Sequence, residues 1–364
     1  MNSTKSKNKE SFLNFSLKSE LLKSIKELGF NNPTPIQSKV IPHLMSSDQD
    51  LIASAQTGTG KTAAFGLPLL DLTNTKVTNV QTLILCPTRE LCIQITNDLL
   101  SYSKYLKNIN ILSVYGGVKI EKQIKSLKKG PQIVVGTPGR TNDLIRRKKL
   151  IIGNIDRLIL DEADEMLSMG FKEDLEAIIQ QTPKKKQILL FSATMTQKVV
   201  GVTKKYMKNS LEIAVARVNR AADNVEHIYY VVKPRDRYEV VKRIADMNPD
   251  IYGIVFCRTR RETKDIAIKL MNDHYNADTI HGDLSQSERD DVMRRFRKGQ
   301  LQILVATDVA ARGLDVEDLT HVINYNLPDD DEIYIHRSGR TCLLYTSDAA
   351  DEGLGVDLGG RRII

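Results

Sequence analysis

The stretch Ala55-Gln56-Thr57-Gly58-Thr59-Gly60-Lys61-Thr62 decides the fold. It follows the apolar run 51–55 and opens a segment of helical character, the strand–loop–helix setting that a phosphate-binding loop needs. Glycines let successive backbone N–H groups turn toward phosphate oxygens, and the helix N-terminus adds partial positive charge. In such a loop Lys61 neutralises β and γ oxygens and the Thr62 hydroxyl ligates Mg²⁺; Ala55 stands where the first glycine usually does.

Outward from the loop, short runs rich in Ile, Val and Leu recur at 51–55, 82–86, 110–114, 132–136, 156–160 and 187–191, separated by amphipathic stretches of helical length. The pattern returns at 227–231, 252–256, 277–280, 301–305 and 321–324. Continuous apolar strands alternating with helices predict parallel sheets covered on both faces. A chain of 364 residues suits two such domains, and the polar stretch 214–224 (AVARVNRAADN) reads as the linker between them. Two similar domains with one phosphate loop imply that the first holds the nucleotide and the second completes the site.

Composition narrows the class. Hydrophobic residues make up 41% and charged residues 27%, and no apolar run approaches the roughly 18 residues of a membrane span. The opening MNSTKSKNKE is polar and basic and reads as a disordered tail over 1–11 rather than a secretory signal. A net charge of +8 admits a polyanionic partner without requiring one. The four cysteines, Cys86, Cys92, Cys257 and Cys342, show no metal-binding spacing, so a reducing cytoplasmic setting follows.

A second nucleotide element, Asp161-Glu162-Ala163-Asp164, stands at the C-terminal end of the run 156–160. Ligands of open α/β sheets collect there. Asp161 is placed to hold Mg²⁺ through water, and Glu162 to orient and deprotonate an attacking water.

With this tetrad spelling DEAD, and Gly29-Phe30-Asn31-Asn32-Pro33-Thr34-Pro35-Ile36-Gln37 similar to a Q motif, the chain resembles the bacterial-type DEAD-box RNA helicases of superfamily 2. The resemblance spans 12–341 and implies two tandem RecA-like doubly wound domains, at 12–213 and 225–341. It implies ATP and Mg²⁺ as substrate and cofactor. Gln37 would read the adenine edge, with Phe30 and Phe12 packed on its ring. A side-chain amide offers both the donor and the acceptor that adenine calls for. A Pro-rich turn before a helix near Ile36 is the plainer reading of the same residues, and it leaves Gln37 unexplained.

Further matches fall in family order. Pro87, Thr88 and Arg89, the pair Gly116 and Gly117, and Thr137, Pro138, Gly139 and Arg140 would touch the RNA backbone. Ser192, Ala193 and Thr194, with Asp164, would link nucleotide state to RNA grip. In the second half Thr259, Arg289 and Thr307 would meet phosphates or 2′-hydroxyls, and the 2′-OH separates RNA from DNA. Asp308, Arg312, Gly313, His336 and Arg337 would act in coupling, Asp315 would meet the ATP ribose, and Arg340 would be an arginine finger on the γ-phosphate.

After Thr341 the family pattern calls for Gly-Arg, but the chain reads Cys342-Leu343-Leu344-Tyr345-Thr346-Ser347-Asp348 and runs on to Ile364. This stretch resembles a sequencing adapter translated through an open frame. Residues 342–364 are therefore expected to be non-native and the second domain incomplete at its C-terminus; Leu343 stands where a second finger would fall. Single-stranded or short duplex RNA is the expected partner, an RNP or ribosome-assembly setting is compatible with it, and no membrane or oligomer is implied. The activity these motifs imply is that of an ATP-dependent RNA helicase separating short duplexes; an ATP-timed RNA clamp would share every residue named, and the Q motif and DEAD tetrad argue against a DNA helicase of the same superfamily.

Overall fold

The computed structural model describes residues 11–55, 58–214, 225–311, 316, 319–329, 331–338 and 361–363. The chain divides into two compact units, Met1–Val218 and Asn219–Ile364. Most of the expected linker, 215–224, and of the expected tails, 1–10, 339–360 and 364, lies outside the described residues.

The first unit is built on β1 (Leu51–Ser54), β2 (Thr82–Leu85), β3 (Ile111–Val114), β4 (Ile133–Gly136), β5 (Arg157–Leu160), β6 (Gln187–Ser192) and β7 (Leu211–Ala214). They form one sheet in the order β3-β4-β2-β5-β6-β1-β7, with every pairing parallel. Alternation along each strand sends side chains to two cores. Ala53, Ile84, Ile159, Leu189 and Phe191 pack beneath the helices Pro35–Ser46, Lys61–Leu72 and Arg89–Tyr102. Ile52, Leu83, Leu85, Leu158 and Leu190 pack beneath Pro138–Arg146, Lys172–Gln181 and Gln197–Tyr206. Burial on both faces is why these strands read as continuous apolar runs.

The second unit carries β8 (Val225–His227), β9 (Gly253–Phe256), β10 (Ala277–Ile280), β11 (Ile303–Ala306), β12 (His321–Asn324) and β13 (Arg361–Ile363), in the order β10-β11-β9-β12-β13-β8. These pairings are also parallel. Helix Gln286–Arg297 covers one face through Val292, Met293 and Phe296. Helices Arg237–Met247 and Arg260–Asn272 cover the other through Val241, Ile266 and Leu270.

Three strands differ from expectation. Strand β13, Arg361–Ile363, stands between β12 and β8 within the stretch read as non-native. The run read at 227–231 is a strand over Val225–His227 alone, and Tyr229 and Val231 beyond it are 86% and 91% exposed. Each of the three residues of β8 pairs with one of the three residues of β13. Strand β7 escaped notice because Ile213 is the one buried side chain of its four. A half-exposed edge lacks the apolar run that marks its neighbours.

Candidate functional site

In an all-parallel sheet every strand delivers its following loop to one edge. The sheet of the first unit brings Ala55 (after β1), Pro87 to Arg89 (after β2), Gly116 and Gly117 (after β3), Thr137 to Arg140 (after β4), Asp161 to Asp164 (after β5) and Ser192 (ending β6) to that edge. These are the segments singled out from the sequence. Gln56 and Thr57 lie outside the described residues.

The phosphate loop ends with Gly58 at φ +81° and Gly60 at φ +84°, a left-handed backbone that favours glycine. Helix Lys61–Leu72 follows directly, with Thr62 half-buried in its first turn. The Lys61 ammonium is buried, lies 3.9 Å from Asp161 Oδ1 and has no hydrogen-bond partner among the described residues. Asp161 is buried too, and burial, reinforced by Glu162 and opposed by Lys61, pushes its carboxyl up to about 6. An unsatisfied buried ammonium beside a desolvated carboxylate fits a ligand carrying both anionic oxygens and a cation. Thr62 and Asp161 are the residues that could hold such a cation. Among the described residues no group of three or more His, Cys, Asp or Glu could hold a metal on protein ligands alone.

Glu162 has φ +51°, a conformation that is sparsely populated for non-glycine residues. It turns the chain from β5 into helix Ala163–Ser168. Asp164 then accepts both the backbone N–H (2.7 Å) and the hydroxyl (2.8 Å) of Thr194, while Ser192 Oγ donates to Thr194 O at 2.6 Å. Ala193 is half-buried between them.

The structure gives Gln37 a role that the sequence did not show. It is 1% exposed; its Oε1 accepts from Thr34 N (2.9 Å) and its Nε2 donates to Gly60 O (3.1 Å). Thr34 Oγ1 donates to Thr59 O at 2.9 Å. Thr34 and Gln37 thus form a capping box on helix Pro35–Ser46 and tie that helix to the phosphate loop. The turn-and-helix reading therefore accounts for Gln37 after all, and the Thr-x-x-Gln spacing was the available signal for Thr34. Phe12 is a core residue 6.2 Å from Phe30, ring to ring, and Phe30 lies 6.0 Å from Tyr102.

Among the segments expected to meet RNA, Gly116 and Gly117 are exposed, and Gly117 takes φ +83°. Thr88 and Thr137 cap helices, and Pro138 is the first residue of its helix. Gly139 and Arg140 follow, half-buried. Arg89 lies 5.0 Å over the Tyr115 ring. Arg140 donates to Val118 O and to Gln123 Oε1, so it braces the loop after Gly117. Sequence reasoning missed Gln123, whose position carries no motif.

In the second unit Thr259 caps helix Arg260–Asn272, Arg289 donates to Ala310 O, and Thr307 is buried at the end of β11. Arg337 pairs with both oxygens of Asp308 (2.6 and 2.8 Å) and donates to Asn324 Oδ1 and Asn326 O. Its guanidinium also lies 4.8 Å from the Phe256 ring, and His336 beside it is half-buried. Asn324 and Asn326 went unnoticed in the sequence because they end an ordinary strand. Arg312, Gly313, Asp315 and Arg340 lie outside the described residues. Burial pushes the thiols of Cys86 and Cys257 up, which leaves them protonated and poor nucleophiles.

The fold and the loop define a P-loop nucleotide-binding protein of two tandem α/β units. Residues 34–202 match the DEAD/DEAH box helicase family, and residues 236–342 match the helicase conserved C-terminal domain. The ATP-dependent RNA helicase CshA of Listeria monocytogenes is 45% identical over 345 residues, 95% of this chain and 65% of that protein. A solved DEAD box protein from Methanococcus jannaschii is 46% identical with a TM-score of 0.56, covering 91% of this chain and 89% of that one. Dbp5 of S. cerevisiae, solved bound to RNA and ADP BeF3, is 32% identical with a TM-score of 0.83, covering 91% and 86%. The chain belongs to the DEAD-box helicase family. It spans about two thirds of the length of the curated relative named above.

Proposed function

We propose that the chain is the motor of an ATP-dependent RNA helicase, hydrolysing ATP in response to RNA and separating short duplexes locally. The observation that carries this reading is the buried Lys61 ammonium, 3.9 Å from Asp161 and without a hydrogen-bond partner among the described residues. A triphosphate with its cation satisfies both charges at once. In this reading the backbone of Gly58 to Gly60 and Lys61 bind β and γ oxygens, and the Gln37 amide holds the loop through Gly60 O. Thr62 and, through water, Asp161 would hold Mg²⁺, which would supply charge neutralisation at the phosphates. Glu162 orients water and takes its proton, and Asp164 passes the state of this turn to Thr194.

RNA is held by its backbone at Thr88, Arg89, Gly116, Gly117, Thr137 and Gly139 in the first unit, and at Thr259, Arg289 and Thr307 in the second. Arg140 acts by bracing the Gly117 loop. Backbone contacts carry no base sequence, which suits remodelling of folded RNA and of ribonucleoprotein particles, ribosome precursors among them. Asp315 and Arg340 keep their assignments to ribose and γ-phosphate, and such a finger contributes about 10³–10⁵ in rate. The three cysteines among the described residues are buried and free, in keeping with a cytoplasmic setting. No described helix is long and apolar enough to cross a membrane.

The test is hydrolysis of ATP with and without a single-stranded RNA oligonucleotide, beside a DNA of matched sequence, in the parent and in Lys61→Ala and Glu162→Gln. Stimulation by RNA alone, abolished in both variants, is the expected result. Equal stimulation by DNA, or full activity of Glu162→Gln, overturns the reading.

A further inference from the structure

The edge of the first sheet opposite the nucleotide loop is also organised. Three basic runs precede strands on that edge: Lys128 and Lys129 before β4, Arg146 to Lys149 before β5, and Lys184 to Lys186 before β6. Eight of these nine side chains are exposed and Lys186 is half-buried. Among the described residues, Arg147 is the only one of the nine in an ion pair, with Asp143. The intervening strands β2 and β5 place β4 and β6 three strand spacings apart, about 14 Å.

The runs stand on a braced platform rather than on loose loops. Gln132 Nε2 donates to Val77 O and Asn108 O, Gln81 N to Gln132 O, Asp156 N to Gln81 O and Gln187 N to Asp156 O. Gln81, Gln132 and Gln187 are all buried. Gly130, at φ +68°, lies so close to Thr78 that a Cβ there would come within 2.5 Å of Thr78 O. The Lys128 and Lys129 turn is thereby locked against the turn before β2.

Among the described residues of the first unit no large aromatic is exposed; Tyr229 and Tyr230, the exposed aromatics, belong to the second unit. Single-strand binding surfaces stack bases on aromatic rings, whereas a duplex is held by charge along its phosphates. We propose that this edge is a second, sequence-independent RNA surface that holds the backbone of a duplex flanking the strand under the motor's action. It goes beyond the proposed function, which needs no contact on this side of the sheet.

The test compares a hairpin RNA bearing a single-stranded overhang with the overhang oligonucleotide alone. The proteins are the parent chain and a quadruple variant, Lys148→Glu, Lys149→Glu, Lys184→Glu and Lys185→Glu. At about 100 mM salt the variant is expected to bind the hairpin roughly tenfold or more weakly, and its slope of log K against log salt should fall by about three to four. Affinity for the bare oligonucleotide, and ATP hydrolysis stimulated by it, should match the parent. A glutamine version of the same four positions should lie between the two.

Equal hairpin affinity and equal salt slope in parent and variant overturn the inference. So does a loss confined to vesicles of anionic lipid or to poly-glutamate. A parent lacking oligonucleotide-stimulated hydrolysis would sink the proposed function, while the hairpin comparison would still report on this edge.

Discussion

Thr194 directs both its backbone N–H and its hydroxyl to one oxygen, Oδ2 of Asp164, at 2.7 and 2.8 Å. Both residues are buried, so neither donor has water as an alternative. Removing the carboxylate strands both of these donors and the Glu165 N–H, whereas removing the hydroxyl strands none. Asp164→Ala should therefore destabilise the chain more than Thr194→Ala, by about 1–3 kcal/mol. Urea unfolding of the two variants and their double mutant reads the difference, and the double mutant should fall short of the sum.

The carboxyl of Asp161 gives a pH signature. Its value in the folded chain, about 6, lies above the ordinary 3.8, so the fold favours the neutral form. This contribution to stability is complete below about pH 4 and is lost as the pH rises through 6. Asp161→Asn stays neutral throughout. Without nucleotide it should be more stable than the parent at pH 7.5, by up to about 3 kcal/mol, and equal to it near pH 4. Thermal unfolding across that range checks this, and no ATP hydrolysis is expected from the variant.

Gln37 allows its two hydrogen bonds to be separated. Gln37→Glu keeps the acceptor for Thr34 N but loses the donor to Gly60 O, while Gln37→Ala loses both. Helix capping should thus survive in the first variant and be lost in the second, at a cost of about 1 kcal/mol. Both should raise the KM for ATP. A normal KM in Gln37→Glu would show that the tie to the loop has no part in nucleotide binding.

Arg337 is the second unit's equivalent test. Four hydrogen bonds from one rigid fork reach Asp308, Asn324 and Asn326 together, and a lysine ammonium cannot span them. Arg337→Ala leaves Asp308 without its partner and should cost about 3–5 kcal/mol. Arg337→Lys should recover less than half of that. Differential scanning calorimetry should show the loss in a transition of the second unit, with that of the first unchanged.

Much of this molecule could be read before its structure. Apart from the half-exposed edge β7, the strands of the first sheet announced themselves as apolar runs, and the loop from Gly58 to Thr62 and the turn from Asp161 to Asp164 stood where such strands end. What escaped reading was partnership. Nothing in the sequence shows that Gln37 also holds Gly60 O, or that Arg140 also braces Val118 and Gln123. Those contacts join positions 17 to 23 residues apart, and nothing in local composition records them. Strand β8 was misplaced because the apolar run that suggested it, with Tyr229 and Val231, is exposed rather than buried.

The row of buried amides formed by Gln81, Gln132 and Gln187 has an evolutionary consequence. Each one ties the start of its strand to the turn beside it, through Asn74 O, Val77 O and Gln49 O respectively. A change of charge at the exposed side chains of these turns leaves those ties intact, whereas a change of turn length breaks them. Selection can therefore retune the charge of this rim residue by residue while the rim that carries the phosphate loop keeps its geometry.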